Sequence, residues 1–240
     1  MKILNLGCET KTNPEMINID WSIYLRIRLN KFYYFLAPVF IRGERLKKLR
    51  ELPRDILLHD LSKGIPFPSN SIDVVYHSHF LEHLDRDIVE KFLLEVKRVL
   101  RSGGIQRIVV PDLEKLTINY ITHLQACNTE SNIEKEHDHY ISAIIWPCVL
   151  KEAFSTSQQP KVRRFIENLI LGDARERGIT HQWMYDRISL SFFLRKVGFK
   201  GIKIEQYNSS SIPDWNKYGL DLDDFGNEYK PGSLYVEAKK

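Results

Sequence analysis

Short apolar runs and longer helical stripes alternate along this chain. Residues 3–6, 16–20, 55–58, 72–76 and 105–110 are brief apolar stretches, each the length of a strand. Between the last two, Ile88, Val89, Phe92, Leu93, Val96, Val99 and Leu100 recur at helical spacing over 87–100, and Ser102-Gly103-Gly104 closes that stripe. A helix over 189–198 ends at Gly198 and leads to two further strands, 201–206 and 234–238, which form a hairpin-like antiparallel edge. The alternation predicts an α/β fold around a mostly parallel, seven-stranded sheet.

Three stretches depart from simple alternation. About ten residues separate the first two strands, where a crossover takes a dozen or more. The first helix is therefore expected to shrink to a turn or two, broken at Asn13-Pro14. Residues 22–52 are basic and aromatic and predict two helices broken near Pro38 or Gly43, forming a lid. From 113 to about 177 the pattern is wholly helical and exceeds a crossover, so a helical cap over 113–185 is expected within a single domain spanning 1–240.

Composition narrows the function. A net charge of +4 over 240 residues does not suggest a dedicated nucleic-acid binder. No apolar run reaches the length of a membrane span, and the first residues lack a signal peptide's apolar core and cleavage site. Cys8, Cys127 and Cys148 are scattered, odd in number and without metal-ligand spacing, which points to a reducing cytoplasm. His77, His79 and His83 cluster after the fourth strand, yet the sequence names no third ligand, so no metal is expected.

Gly7 ends the first strand, where a missing side chain lets backbone approach a ligand. Asp20 ends the second, where a carboxylate can accept from two ribose hydroxyls, and Trp21 follows at once. Asp60 precedes a proline-rich turn, and Asp73 precedes a buried strand, where a structural role is favoured. The runs LNLGCE at 4–9, INID at 17–20, HDLSKGIPFPSNSIDVVYHSHFLEHL at 59–84 and EVKRVLRSGGIQRIVVPDLEKL at 95–116 resemble the class I methyltransferases that use S-adenosylmethionine (SAM). THQWMYDRISLSFFLRKVGFKGI at 180–202 and the final SLYVEAKK also match. More closely, the chain looks like small bacterial methyltransferases of surface-polysaccharide gene clusters.

The resemblance implies a Rossmann-like sheet and SAM as cofactor. It places Gly7, Asp20, Trp21, Asp60, Leu61, His77 and Ser78 around that cofactor, with Glu9 standing where the family has a second glycine. The Glu9 carboxylate must then point away or meet the cationic amino group of SAM. Methyl transfer to an oxygen or nitrogen of a small or glycan-like acceptor follows, with His83 or His181 taking a proton. His83 has bracing of the next helix as its alternative. Asp112 either orients an acceptor hydroxyl or caps the helix after it, and His181 and Tyr185 either close over the site or pack the cap. His137, Asp138, His139, Tyr140 and Trp146 are candidates to contact a sugar.

Rival readings carry their own signs. A non-catalytic methyltransferase-fold module would follow if Glu9 blocks SAM. A nicotinamide enzyme would need G-x-G-x-x-G and about twenty residues to its acid, and the chain has neither. A nucleic-acid methyltransferase would carry a target-base motif where this chain reads His77-Ser78-His79-Phe80. The 22–52 segment, as an exposed basic aromatic surface, suits peripheral contact with an anionic membrane.

Overall fold

The computed structural model describes residues 1–129, 133–150, 160, 162, 165 and 180–240. Of the cap expected over 113–185, residues 130–132 and nearly all of 151–179 lie outside the described residues. The strands are β1 (Ile3–Leu6), β2 (Ile17–Asp20), β3 (Leu57–Leu58), β4 (Ile72–Ser78), β5 (Leu100–Pro111), β6 (Lys200–Glu205) and β7 (Ser233–Lys239). They form one sheet in the order β3-β2-β1-β4-β5-β7-β6. β1 to β5 pair parallel, and β7 runs antiparallel to both β5 and β6. The Rossmann-like sheet with an antiparallel edge is therefore as expected. The edge is no tight hairpin, because residues 206–232 separate its two strands.

The strand period of two divides the core. Leu4, Leu6, Val75, Ile108, Val110, Leu234 and Val236 face one side, under helix α4 (Arg86–Val99) and a later helix, Arg187–Lys196. Ile3, Val74, Tyr76, Val109 and Tyr235 face the other, where Ile212, Trp215, Tyr218 and Leu220 of the 206–232 connection cover them. That cover is needed because no helix forms between β1 and β2. The short link instead carries turns and is pegged by buried polar bonds from Asn5 Nδ2 to Asn18 Oδ1 and to the Lys11 carbonyl, both 3.0 Å. The expected one- or two-turn helix is thus replaced by turns alone.

The 22–52 segment forms three helices where two were expected: α1 (Ile23–Leu29), α2 (Lys31–Phe40) and α3 (Glu44–Glu51). Asn30 makes the additional break. Its backbone N–H closes α1 onto the Arg26 carbonyl, while its side chain accepts from Phe32 N and Tyr33 N and so opens α2. Pro38 stays inside α2, and the expected break at Gly43 does occur, at φ 60°. The three helices share a small core of Leu25, Ala37, Ile41, Leu49 and Leu52, with Cys8 of the β1 turn beneath.

Helix α4 ends at Val99, and β5 starts at once with Leu100 paired to Ile72. Ser102-Gly103-Gly104 therefore lies within the irregular start of β5 and does not stop the helix as expected. α5 (Leu113–Ala126) and α6 (His137–Val149) are the described part of the cap, and α7 (Arg187–Lys196) precedes β6. Among the described residues, no helix is long and apolar enough to cross a membrane.

Candidate active site

The parallel registers place four strand ends at one edge. Leu6 pairs with both Ile19 and His77, so Gly7, Asp20 and Ser78 follow at a common height. In open α/β sheets ligands sit at this carboxyl edge.

Gly7 has φ 65° and donates its N–H to the Ile19 carbonyl at 2.8 Å. The Phe80 ring occupies the space that a side chain at Gly7 would need. Glu9 also holds a left-handed backbone, φ 43°, which favours glycine. The turn thus keeps a glycine-like trace without the second glycine. The Glu9 carboxylate swings out to Lys48 on α3, at 3.1 and 3.2 Å.

Asp20 is 4% exposed. Its Oδ2 accepts from Glu9 N at 2.9 Å and its Oδ1 from Ser22 N at 2.6 Å, so this carboxylate ties turn, strand and lid together. A carboxylate offers about four acceptor positions, which leaves some for ribose hydroxyls. Trp21 is exposed with the Arg26 guanidinium over its ring at 5.1 Å. Asp60 accepts from the Ser62 hydroxyl at 2.7 Å and its N–H at 3.0 Å, opening a short 3-10 turn over Leu61–Lys63. The Ser62 hydroxyl bond is the main reason its carboxyl lies below the usual range. Leu61 packs against the main core.

His77 corrects the expected set. Its side chain is 0% exposed, lies edge-on to Phe80 and Phe92, and contacts Gln106 through Nε2 at 3.0 Å. Its side chain faces the core and so does not line the carboxyl edge. Burial lowers its pKa from 6.5 to about 4. Asp112 takes the capping role, one of the two alternatives the sequence offered. Its side chain accepts from Glu114 N and Lys115 N, so it caps α5. Asp73 serves structure, binding Lys2 N and Arg101.

The remaining candidates converge on a group that sequence reasoning passed over, Glu82. This carboxylate is 0% exposed, and neither oxygen has a hydrogen bond of good geometry among the described residues. His79 Nδ1 lies 3.3 Å from Oε1 and His83 Nε2 lies 4.0 Å from it. Burial pushes the Glu82 carboxyl up, but the His79 contact and the His83 and His79 charges outweigh it and hold the group ionised. Lys230 also acts on it electrostatically. His79 is strained at φ 49°, and its Nε2 meets Ser233 Oγ at 2.9 Å. The signal in the sequence was the His79-x-x-Glu82-His83 run, which reads as three separate polar residues until the chain turns there.

The 180–185 segment completes the cluster. Gln182 N donates to the Glu82 carbonyl at 2.7 Å, and the His181 ring stands edge-on to His83 with centroids 4.8 Å apart. Burial pushes His181 down to about 4, so its imidazole is neutral. Tyr185 is fully buried beside it, with burial raising its hydroxyl to about 12. The structure brings His83 and His181, two separate sequence candidates, into contact. The contact between His83 Nδ1 and the Thr180 carbonyl, 3.3 Å, puts a proton on Nδ1. Nε2 is the nitrogen nearer Glu82, 4.0 Å from its Oε1.

Residues 37–108 match a family model described as a methyltransferase domain. The match covers less than a third of the chain; it includes Asp60, Leu61 and the 79–83 run, and excludes Gly7, Glu9 and Asp20. No curated protein matches the chain. Among solved structures, a SAM-dependent methyltransferase from Archaeoglobus fulgidus is 16% identical, with a TM-score of 0.42 over 100% of this chain and 86% of its own. One from Mesorhizobium loti is 14% identical, with a TM-score of 0.41 over 100% and 90%. One from Aquifex aeolicus is 14% identical, with a TM-score of 0.39 over 99% and 81%. The matched domain bears out the resemblance to methyltransferases and the cofactor it implies, SAM.

Proposed function

Starting from a methyltransferase domain at 37–108, we propose that this protein transfers a methyl group from SAM to a hydroxyl of a small or glycan-like acceptor, with His83 as the base. The arrangement of Thr180, His83 and Glu82 carries the reading. The Thr180 carbonyl fixes the His83 tautomer, Nε2 takes the acceptor's proton, and the ionised Glu82 stabilises the imidazolium that forms. His181, held near 4 by burial and edge-on to the His83 ring, walls the site. A positioned base contributes about 10²–10⁴-fold in rate.

The cofactor supplies an electrophilic methyl on a sulfonium. Asp20 has acceptor capacity left for ribose hydroxyls, and Asp60 for an adenine amino group. Gly7, Ser78, Leu61 and Trp21 stand along the same edge. The left-handed backbone at Glu9 keeps the trace glycine would give, which speaks against a non-catalytic module. Holding acceptor and methyl in line is worth about 7–11 kcal/mol.

His83→Ala and Glu82→Gln are each expected to lower kcat about 10²–10⁴-fold while SAM affinity stays within twofold, measured by turnover assay and calorimetry. Equal loss of SAM affinity, or a lost fold, would assign both residues to bracing instead. Membrane contact through the lid rests on Phe32, Tyr33, Phe35, Val39 and Phe40, all exposed, with Phe35 at 79%. Flotation with anionic vesicles tests it, and no co-flotation removes it.

A further inference from the structure

We propose a zinc site at His123, Cys127 and His137, joining the two described cap helices. His123 and Cys127 lie one turn apart near the end of α5, and His137 opens α6. His123 Nδ1 stands 3.1 Å from His137 Nδ1, and Cys127 Sγ stands 3.5 Å from His123 Nδ1. All three donor atoms lie within 4.8 Å of one another.

Two of the three spacings match what a tetrahedral metal requires, and the third lies within 4.8 Å. Zn–N bonds of about 2.0–2.1 Å and Zn–S bonds of about 2.3 Å put neighbouring ligand atoms about 3.3–3.4 Å (N to N) and about 3.5–3.6 Å (N to S) apart. The two contacts here are close to those edges. The Glu82, His83 and His181 group also offers three donors, but its 4.0 Å Glu82–His83 separation exceeds the edge. That group already has Lys230 and His79 to balance its carboxylate. The donor set of one thiolate and two imidazoles suits zinc. The rings are oriented for it: Tyr140 stacks on His123 with centroids 4.2 Å apart, and Tyr120 sits 5.4 Å from His137. His123 itself is 8% exposed.

On binding, the Cys127 thiol proton leaves to solvent, and both imidazoles present Nδ1 lone pairs with their protons on Nε2. Three protein donors leave the fourth position to water. The consequence reaches the active site. α6 rises about 15 Å from His137 to Pro147, and the Pro147 carbonyl accepts the His181 N–H at 2.9 Å. The metal fixes the start of the helix whose other end holds His181.

Cobalt(II) is the probe. The full-length protein, stripped with chelator, is titrated with cobalt(II) and then zinc. The site predicts one equivalent with a thiolate-to-cobalt charge-transfer band, displaced by zinc. Cys127→Ser removes that band, and His137→Gln weakens binding at least tenfold, while Cys148→Ser and Glu82→Gln leave it intact. Zinc also raises the Tm of the wild type and not of Cys127→Ser. No thiolate band, or a band that survives Cys127→Ser in a folded protein, overturns the proposal. None of these readouts requires SAM or methyl transfer.

Discussion

At the scale of single residues, the cofactor turn and the buried histidines make opposite demands. Gly7 and Glu9 share a left-handed backbone, but only Gly7 has the Phe80 ring against it. Gly7→Ala therefore carries both backbone strain of about 1–2 kcal/mol and a clash, and is expected to lower Tm by several degrees. Glu9→Gly relieves strain while removing an exposed ion pair worth at most about 1 kcal/mol, so Tm is expected to hold or rise. A marked drop for Glu9→Gly would contradict the glycine-like trace. His77 and His181 are lowered from 6.5 to about 4 by burial. The unfolded chain binds their protons first, so their contribution is complete above 6.5 and is lost as pH falls toward 4. For fully buried His77 that gap corresponds to roughly 3 kcal/mol. Glu82, lowered by its histidine contacts, loses its contribution at the acid end, below the usual glutamate value. Melting curves across pH 7 to 4 should fall steeply, and His77→Gln should flatten the slope. An unchanged slope would mean that His77 is solvated.

At the scale of elements, the 206–232 connection does the work of a missing helix, and Arg107 is what holds it. This guanidinium is 0% exposed and binds Asp221 at 2.8 Å, Glu237 at 2.7 Å, and the carbonyls of Ser209 and Gln206 at 3.0 Å each. Asp221 also accepts from the Tyr76 hydroxyl and the Trp215 indole, both at 2.7 Å. Removing one partner leaves a buried charge unpaired, which costs about 3–5 kcal/mol. Asp221→Ala and Arg107→Met should each lower the unfolding free energy from denaturant titration by that amount, and a loss below about 1 kcal/mol would mean that the connection is held by Trp215 and Tyr218 packing alone. The other elements follow from local signals: Asn30 splits the lid, and the single α4–β5 junction replaces a glycine stop.

At the scale of the whole molecule, the sheet and its helices were legible because buried strands and the α4 stripe leave strong periodicities. His83 and His181 were each legible as candidates, though not their contact. Glu82 was not, since its importance arises from complete burial among groups 100 residues apart in sequence, such as Thr180. His77 misled for the same reason: a strand-end histidine points to core or edge according to a parity the sequence leaves ambiguous beside a turn. Asp112 sits at the right edge and caps α5 through two backbone N–H groups. The central claim is that the carboxyl edge built by Gly7, Asp20 and Asp60 holds SAM despite Glu9. Calorimetric titration of SAM into wild type, Glu9→Gly and Asp20→Asn tests it most directly. The account predicts one equivalent bound by wild type and by Glu9→Gly, and at least tenfold weaker binding by folded Asp20→Asn. No heat from the wild type, with a melting curve that SAM leaves unchanged, would contradict it.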